Sequence, residues 1–395
     1  MKRLLALILI MVIAFGAFAA CDLSSKGDSN DTEGKPTDEL VENSSDGNAS
    51  GESDATSGEG TASDTADGSD TFKNTDETLQ TMGNVDVPID PSKKIEFGSY
   101  PQTLVTEEET VAKLSAKAGK LPNAENAQKW TSYGYYAGGN VKSYMWYIDV
   151  EEENTRYRGV YFTEYRSNIT AASSTVTSYQ DDNGYLKSDA EKTNIYWFKY
   201  EPLSWVILSK NEETNTALVV CERIIDAQAY QDGAAEAYAN NYAYSTIRKW
   251  LNETFYNTAF NTAEKASIIS TLVDNSPKST GYATSDYACD NTKDNVFLLS
   301  VAESVEKNYG FSESFHEYDS LRRKKTTDYA KAQGAYTSTS TDSLGNGWWW
   351  LRSPRNDNAL NARGVYYDGY VSGNRAVNRT DCGVVPAIYI KLSNN

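Results

Sequence analysis

The sequence predicts an α+β fold: twisted antiparallel sheets with two adjacent helices. Three observations carry that reading. Short apolar and aromatic segments bounded by turn residues dominate both flanks of the foldable part. Two stretches with helical spacing stand side by side in its middle. Strands and helices never alternate in the βαβ manner that a parallel sheet requires.

Taken in order, the first strand is Ile95-Glu96-Phe97-Gly98-Ser99-Tyr100, expected to close at Pro101, which cannot donate to a ladder. Thr106 with Glu109 has the form of a capping box opening a helix towards Lys120. Residues 144–148, 157–162 and 196–198 are β-leaning, with a turn signal at Asp181-Asp182-Asn183-Gly184. Residues of about 130–200 therefore read as a β-rich insertion or subdomain. Residues 203–208 and 217–220 form a hairpin across the polar loop Lys210-Asn211-Glu212-Glu213.

Ile247, Trp250, Leu251 and Phe255 recur at helical spacing and place one apolar stripe on a core. Asn261 with Glu264 caps a second expected helix running through Ile268, Ile269 and Leu272. Val296-Phe297-Leu298-Leu299 is an apolar strand, followed at once by the capping box Ser300/Glu303. The remainder is β: residues 348–352, 365–367, 370–371 and 384–390, punctuated by Asp368-Gly369 and Ser372-Gly373.

The first ninety residues carry an address and a tether. Lys2 and Arg3 precede an apolar run from Leu4 to Phe18, then Ala19, Ala20 and Cys21. This is the layout of a secretory signal over residues 1–20. The run is shorter than the ~20 apolar residues of a spanning helix. From Asp22 to Asp90 there are 18 acidic residues against Lys26, Lys35 and Lys73, a net of −15. The rest is mostly Ser, Thr, Gly, Asn and Ala, so the stretch cannot bury enough apolar surface to offset its ordering entropy. It reads as a disordered tether over residues 21–90, holding its cargo on the order of 40–50 Å away.

The signal contributes +2 and the tether −15 to a total of −18, so residues 91–395 carry only −5. That segment reads as a single α+β domain, and it shows no basic stripe with interleaved aromatics, which leaves a nucleic-acid partner unsupported. Cys221, Cys289 and Cys382 are far apart and have no zinc-like spacing. His316 is the only histidine, in a segment without a nucleophile motif, and reads as a surface residue. A glycosidase needs two carboxylates across a cleft. Glu151-Glu152-Glu153 and Asp181-Asp182 are instead sequence neighbours on expected loops. Residues 290–295 offer oxygen ligands but lack the EF-hand register and read as a turn. No cofactor and no metal is called for.

The cysteine after two alanines resembles the lipobox of bacterial lipoproteins, although Phe18 stands where Leu is usual. That resemblance implies lipidation of Cys21 and a membrane partner, at the extracellular face of a bacterial cell membrane. A second resemblance rests on five ordered blocks: residues 97–102 (FGSYPQ), 245–252 (STIRKWLN), 294–300 (DNVFLLS), 349–354 (WWLRSP) and 383–388 (GVVPAI). Together they resemble a domain-of-unknown-function family common in secreted and lipid-anchored proteins of Gram-positive gut bacteria, over Ile95 to Leu392. Val385 stands where that family usually carries Arg. The family's ending is in turn similar to C-type-lectin-like folds, including the formylglycine-generating-enzyme branch. That likeness implies a C-type-lectin-like C-terminal part. The cysteine pair of the enzyme branch has no counterpart at matching positions here.

Trp348, Trp349 and Trp350 offer a stacking platform or, as Leu351-Arg352 continues the strand, a core strand; the core reading is favoured. Arg352 is then expected to satisfy a buried carboxylate or backbone carbonyls. From Arg355 to Cys382, Ala362, Val365, Val371, Ala376 and Val377 can hold strands to the core. Between them stand Tyr366, Tyr367, Asp368, Tyr370, Asn374, Arg375, Asn378 and Arg379. Tyr, Ser, Gly, Asn and Arg are the residues of antibody binding loops. These eight are the candidate ligand-binding residues, and an extracellular protein or glycan is the expected partner. A solvated meander whose tyrosines serve strand propensity is the competing account. A secreted hydrolase or sulfur-chemistry enzyme, and a structural envelope protein without a specific ligand, remain the alternatives.

Overall fold

The computed structural model describes residues 94–122, 129–136, 142–162, 194–232 and 239–392, all within one contact unit that spans residues 74–395. The signal segment, Cys21, the tether and the turn signal at 181–184 lie outside the described residues. Among the described residues the class is α+β, with antiparallel pairing dominant. No described helix is long and apolar enough to cross a membrane.

The larger sheet has eight strands. β1 (Lys94–Leu104) lies along β5 (Ile195–Asn211), and the path runs β2 (Thr131–Tyr136), β3 (Lys142–Glu152), β4 (Thr155–Phe162), β5, β6 (Thr216–Cys221), β15 (Ala387–Lys391), β8 (Ile268–Ile269). The smaller sheet orders β13 (Val371–Ala376), β12 (Asn361–Val365), β11 (Trp349–Pro354), β14 (Gly383–Val384) and β7 (Asp226–Ala227). β9 (Thr271–Val273) and β10 (Thr292–Asp294) make a separate pair. One apolar core joins both sheets through residues such as Trp205, Val219, Phe297, Trp349, Trp350 and Ile388. A satellite cluster of Leu114, Ala118, Trp130 and Trp197 sits under α1 (Glu108–Ala118).

Several elements depart from the sequence expectations. β1 does not close at Pro101 but continues to Leu104, because it is bonded to β5 alone and a register shift follows the proline, where a missing N–H is tolerated. Its other irregularity is Gly98, at φ 71°, where a side chain would meet the Phe260 ring and the Ala259 carbonyl. The Trp205 indole donates to Phe97 O at 2.7 Å beside this bulge. α1 forms, but Glu107, not Thr106, is its N-cap, and no side chain caps it. Residues 196–198 and 203–208 are one strand, β5, since its first half pairs with β4 and its second with β6 while β1 spans both. Glu151 and Glu152 finish β3 instead of lying on a loop.

The helix carrying Ile247, Leu251 and Phe255 is observed as α2: Thr246–Trp250, Leu251–Phe255 with π spacing, and Tyr256–Ala259. Those three side chains are buried, and Ser245 caps the start by accepting from Arg248 N. α3 (Thr262–Ser267) has the Asn261/Glu264 capping box but stops before Ile268. Ile268 and Ile269 are drawn into β8 beside β15, and Leu272 is exposed in β9. Residues 292–294, expected as a turn, are β10. Residues 296–299 are buried but do not form the expected strand, since they join no full ladder. Their backbone is served instead by the Asn252 amide, which accepts from Val296 N and donates to Val296 O, and by Arg352. Phe297 makes one bridge to Ala387.

α4 (Val301–Ser304) shows the Ser300/Glu303 capping box as expected, and α5 (Asp328–Ala332) is capped by Thr327. Arg352 is buried and paired with Glu303, and it also donates to Leu298 O and Asp274 O. Residues 384–390 are two strands in different sheets, separated by Val385 and Pro386; Val385, where the family resemblance expected Arg, is wholly buried. Asp368-Gly369 is a turn, whereas Ser372-Gly373 run inside β13.

Candidate functional site

The turn between β12 and β13 is built from local bonds. Tyr366 N donates to Tyr370 O at 2.8 Å, Gly369 N to Tyr366 O at 3.0 Å, and Tyr370 N to the Asp368 carboxylate at 3.1 Å. Gly369 has φ 93°, and a Cβ there would lie 2.2 Å from Asp319 O, so only glycine fits. That approach clamps the turn to residues 311–319.

Arg322 makes the clamp. Its wholly buried guanidinium donates to the carbonyls of Gly369, Ser304, Ser312, Ser314 and Glu317, at 2.7 to 3.1 Å. Arg323 adds Asp368 O at 2.9 Å, and Val371 N reaches Phe315 O at 3.0 Å. A fork of five N–H donors can exhaust itself on main-chain carbonyls in this way. The result is a fixed loop beside a fixed turn.

Across this scaffold runs a connected series of rings. Tyr336 stacks on Trp348 at 4.1 Å and 17°. Trp348 meets Tyr366 edge-on at 5.8 Å, Tyr366 meets Tyr370 at 5.9 Å, and Tyr370 meets His316 at 5.4 Å. The His316 Nδ1 and Tyr370 hydroxyl are 3.1 Å apart, and Tyr367 joins the series at 5.9 Å from Tyr336. His316 is exposed and the other rings are half-buried. Half-buried tyrosines present ring faces and hydroxyl tips together, the composition of contact surfaces.

Beneath the rings lie two cations. Arg375 is 5 % exposed, with Cζ 3.4 Å from the Trp348 centroid and 4.5 Å from that of Tyr366. Arg379 is also buried, lies 5.2 Å from the Trp348 ring and is paired through two nitrogens with both carboxylate oxygens of Asp381. Burial pulls the Arg375 guanidinium below its ordinary pKa, yet arginine stays charged at neutral pH.

The structure thus brings Tyr366, Tyr367, Asp368 and Tyr370 together on one half-exposed face and sets Arg375 and Arg379 under it. Asn378 is half-buried beyond the end of β13, and the Asn374 side chain lies outside what is described. Sequence reasoning missed Tyr336, Arg322 and the part played by His316. It assigned Trp348 to the core with its neighbours. Trp349 and Trp350 are wholly buried, but Trp348, one residue before β11, is half-exposed.

Two other places hold chemistry-bearing groups. A cleft of about 460 Å³ is lined by Asn241, Tyr244, Pro277, Ser285, Cys289 and Asp290. Burial raises the Cys289 thiol pKa, which disfavours the nucleophilic thiolate. The second place is a buried network. Arg158 donates to Asp149 at 2.8 and 2.9 Å, Tyr200 OH to Asp149 at 2.9 Å, and Tyr100 OH to Asp226 at 2.8 Å. Burial opposes ionisation of Asp149, but its Arg158 and Arg156 partners hold it below the usual range. Burial pushes Asp226 up to about 6. Tyr100, Arg158, Asp226 and Tyr329 are all buried, and this part of the network ties β1 to β7 in the core, while Asp149 is half-buried. No group of three His, Cys, Asp or Glu residues among the described residues is arranged to hold a metal ion.

Residues 204–392 match the family model of a domain of unknown function (DUF6273). The match begins inside β5 and takes in the whole ring surface. No curated protein and no solved structure matches the chain.

Proposed function

We propose that this chain is a surface lipoprotein whose folded part recognises an extracellular ligand without catalysis. In this reading Cys21 carries the lipid, residues 21–90 extend from the extracellular face of a bacterial membrane, and the β12–β13 meander is the binding element. The observation that carries it is the series Tyr336, Trp348, Tyr366, Tyr370 and His316, half-exposed and held on a turn that Arg322 fixes. Preorganised rings offer contact area at little entropic cost. Flat ring faces suit the apolar faces of sugars, so a glycan is favoured over a protein. We assign a C-type-lectin-like character to the C-terminal part on the same grounds as in the sequence reading. A hydrolase is disfavoured by a Cys289 thiol of raised pKa and by an Asp226 carboxylate buried in the core.

The test is a binding screen of residues 22–395 over a glycan array and over intact bacterial and host cells. A companion variant carries Tyr336→Ala, Tyr366→Ala and Tyr370→Ala. Saturable binding by the parent, lost in a variant that still melts cooperatively, is the expected result. Equal binding by the two proteins, or none by either, refutes the assignment.

A further inference from the structure

Among the described residues, most of the buried arginines are matched to charged or carbonyl acceptors. Arg158 has Asp149, Arg352 has Glu303, Arg248 has Asp294, Arg379 has Asp381, and Arg322 spends its donors on five carbonyls. Arg375 differs: its Nη2 is buried without an acceptor. Asp381, the carboxylate nearest to it in sequence, has both oxygens engaged by Arg379. The ring it lies on has the same property, for the Trp348 Nε1–H is also buried without an acceptor. Two buried, unmatched donors therefore share one guanidinium–indole stack beneath the half-exposed ring surface.

Leaving a charged donor desolvated and unpaired is costly, and such a group calls for a partner such as a water or an anion. The missing partner must accept at least two hydrogen bonds and neutralise a positive charge, which describes a carboxylate or sulfate. It must also arrive on a body that lies against aromatic faces. Cation–π contact with Trp348 and Tyr366 holds the guanidinium in place meanwhile.

We propose that the ligand is an acidic saccharide: a sugar ring stacks on the Tyr366–Tyr370 surface and its carboxylate or sulfate is received by Arg375 and the Trp348 indole N–H, which lie beneath it. The proposal rests on the reading of this face as a binding surface. It adds the charge and class of the ligand, and it makes Arg375 the residue that discriminates acidic from neutral sugars.

Matched pairs test it on the unaltered chain of residues 22–395 by calorimetry: sialyllactose against lactose, oligogalacturonate against its methyl ester, and chondroitin sulfate tetrasaccharide against its desulfated form. The first two pairs report a carboxylate and the third a sulfate. The expected result is binding of one acidic member at least ten-fold tighter than its neutral counterpart, weakening with salt. Arg375→Met should abolish that preference and Arg375→Lys should restore part of it. Because the pairs are compared on the parent protein, the result stands even if a variant fails to fold. Equal affinity for both members of every pair, lost on Tyr366→Ala but not on Arg375→Met, would overturn the acidic ligand and leave the binding surface intact. No binding of any saccharide overturns the glycan reading and this proposal together.

Discussion

Asp226 offers a direct test of how burial sets stability here. The side chain is buried on β7, where Oδ1 accepts from Ala227 N at 2.7 Å and Gln228 Nε2 at 3.0 Å, and Oδ2 from Tyr100 OH at 2.8 Å. Those three bonds, with Arg158 nearby, favour the anion, but burial outweighs them and raises the group from its usual 3.8 to about 6. The folded state therefore holds this proton more tightly than the unfolded chain. Stability from this group is complete below pH ~4 and is lost as pH rises through ~6. A gap of about two pH units at about 1.4 kcal/mol each amounts to about 3 kcal/mol. Asp226→Asn keeps the shape and the acceptor oxygen while removing the titration. The variant should match the parent to within about 1 kcal/mol at pH 4 and exceed it by about 3 kcal/mol at pH 7.5. Urea unfolding followed by tryptophan fluorescence at pH 4, 5, 6 and 7.5 measures this. Subtracting the two proteins cancels every other titrating group, Asp149 included. A difference that does not change with pH, or an Asn variant less stable at pH 7.5, would refute the reasoning, because the anion would then be harboured without cost.

Three further outcomes follow from the packing. Arg322→Met strands five carbonyls, of which those of Gly369 and Ser304 are in fully buried bonds, and should cost about 3–5 kcal/mol, with hydrogen exchange accelerated across residues 312–319 and 366–371 before the rest. Gly369→Ala forces a side chain into Asp319 O at a left-handed backbone position and should destabilise by about 1–3 kcal/mol, read by thermal melting. A fragment limited to residues 204–392 leaves the outer edge of β5 without β1 and Asp226 without Tyr100. It should lack the cooperative calorimetric transition expected of residues 91–395.

Local signals were legible in the sequence, and long-range ones were not. The boxes at Asn261/Glu264 and Ser300/Glu303 need only four consecutive residues, and both form. Thr106 had the same pattern, but Leu104 N bonds Asp328 and Val105 N bonds Trp197 O, and the helix begins after Glu107. Leu272 looked helical because spacing cannot register that β15 recruits Ile268 and Ile269 as a strand. At the ring surface, the aromatic run from Tyr366 to Tyr370 was visible as composition. Tyr336 and Arg322 were not, since each acts through partners dozens of residues away. Arg375 was read as a polar anchor of a binding loop, but it is buried beside Gly364 and Trp348 covers it.

The position of β15 carries a consequence for how this protein comes into being. The last strand in chain order is bonded on one side to β6 and on the other to β8, so it fills the interior of a sheet whose other members are synthesised earlier. Until residues 387–391 arrive, β6 and β8 have no common partner, and Phe297 lacks its bridge to Ala387. Vectorial synthesis therefore cannot trap a finished core ahead of time, and the intermediate stays open and pliable until nearly the whole described domain is available. A nonsense codon anywhere before Ala387 should yield a product that quality-control proteases remove, with no shortened but serviceable form.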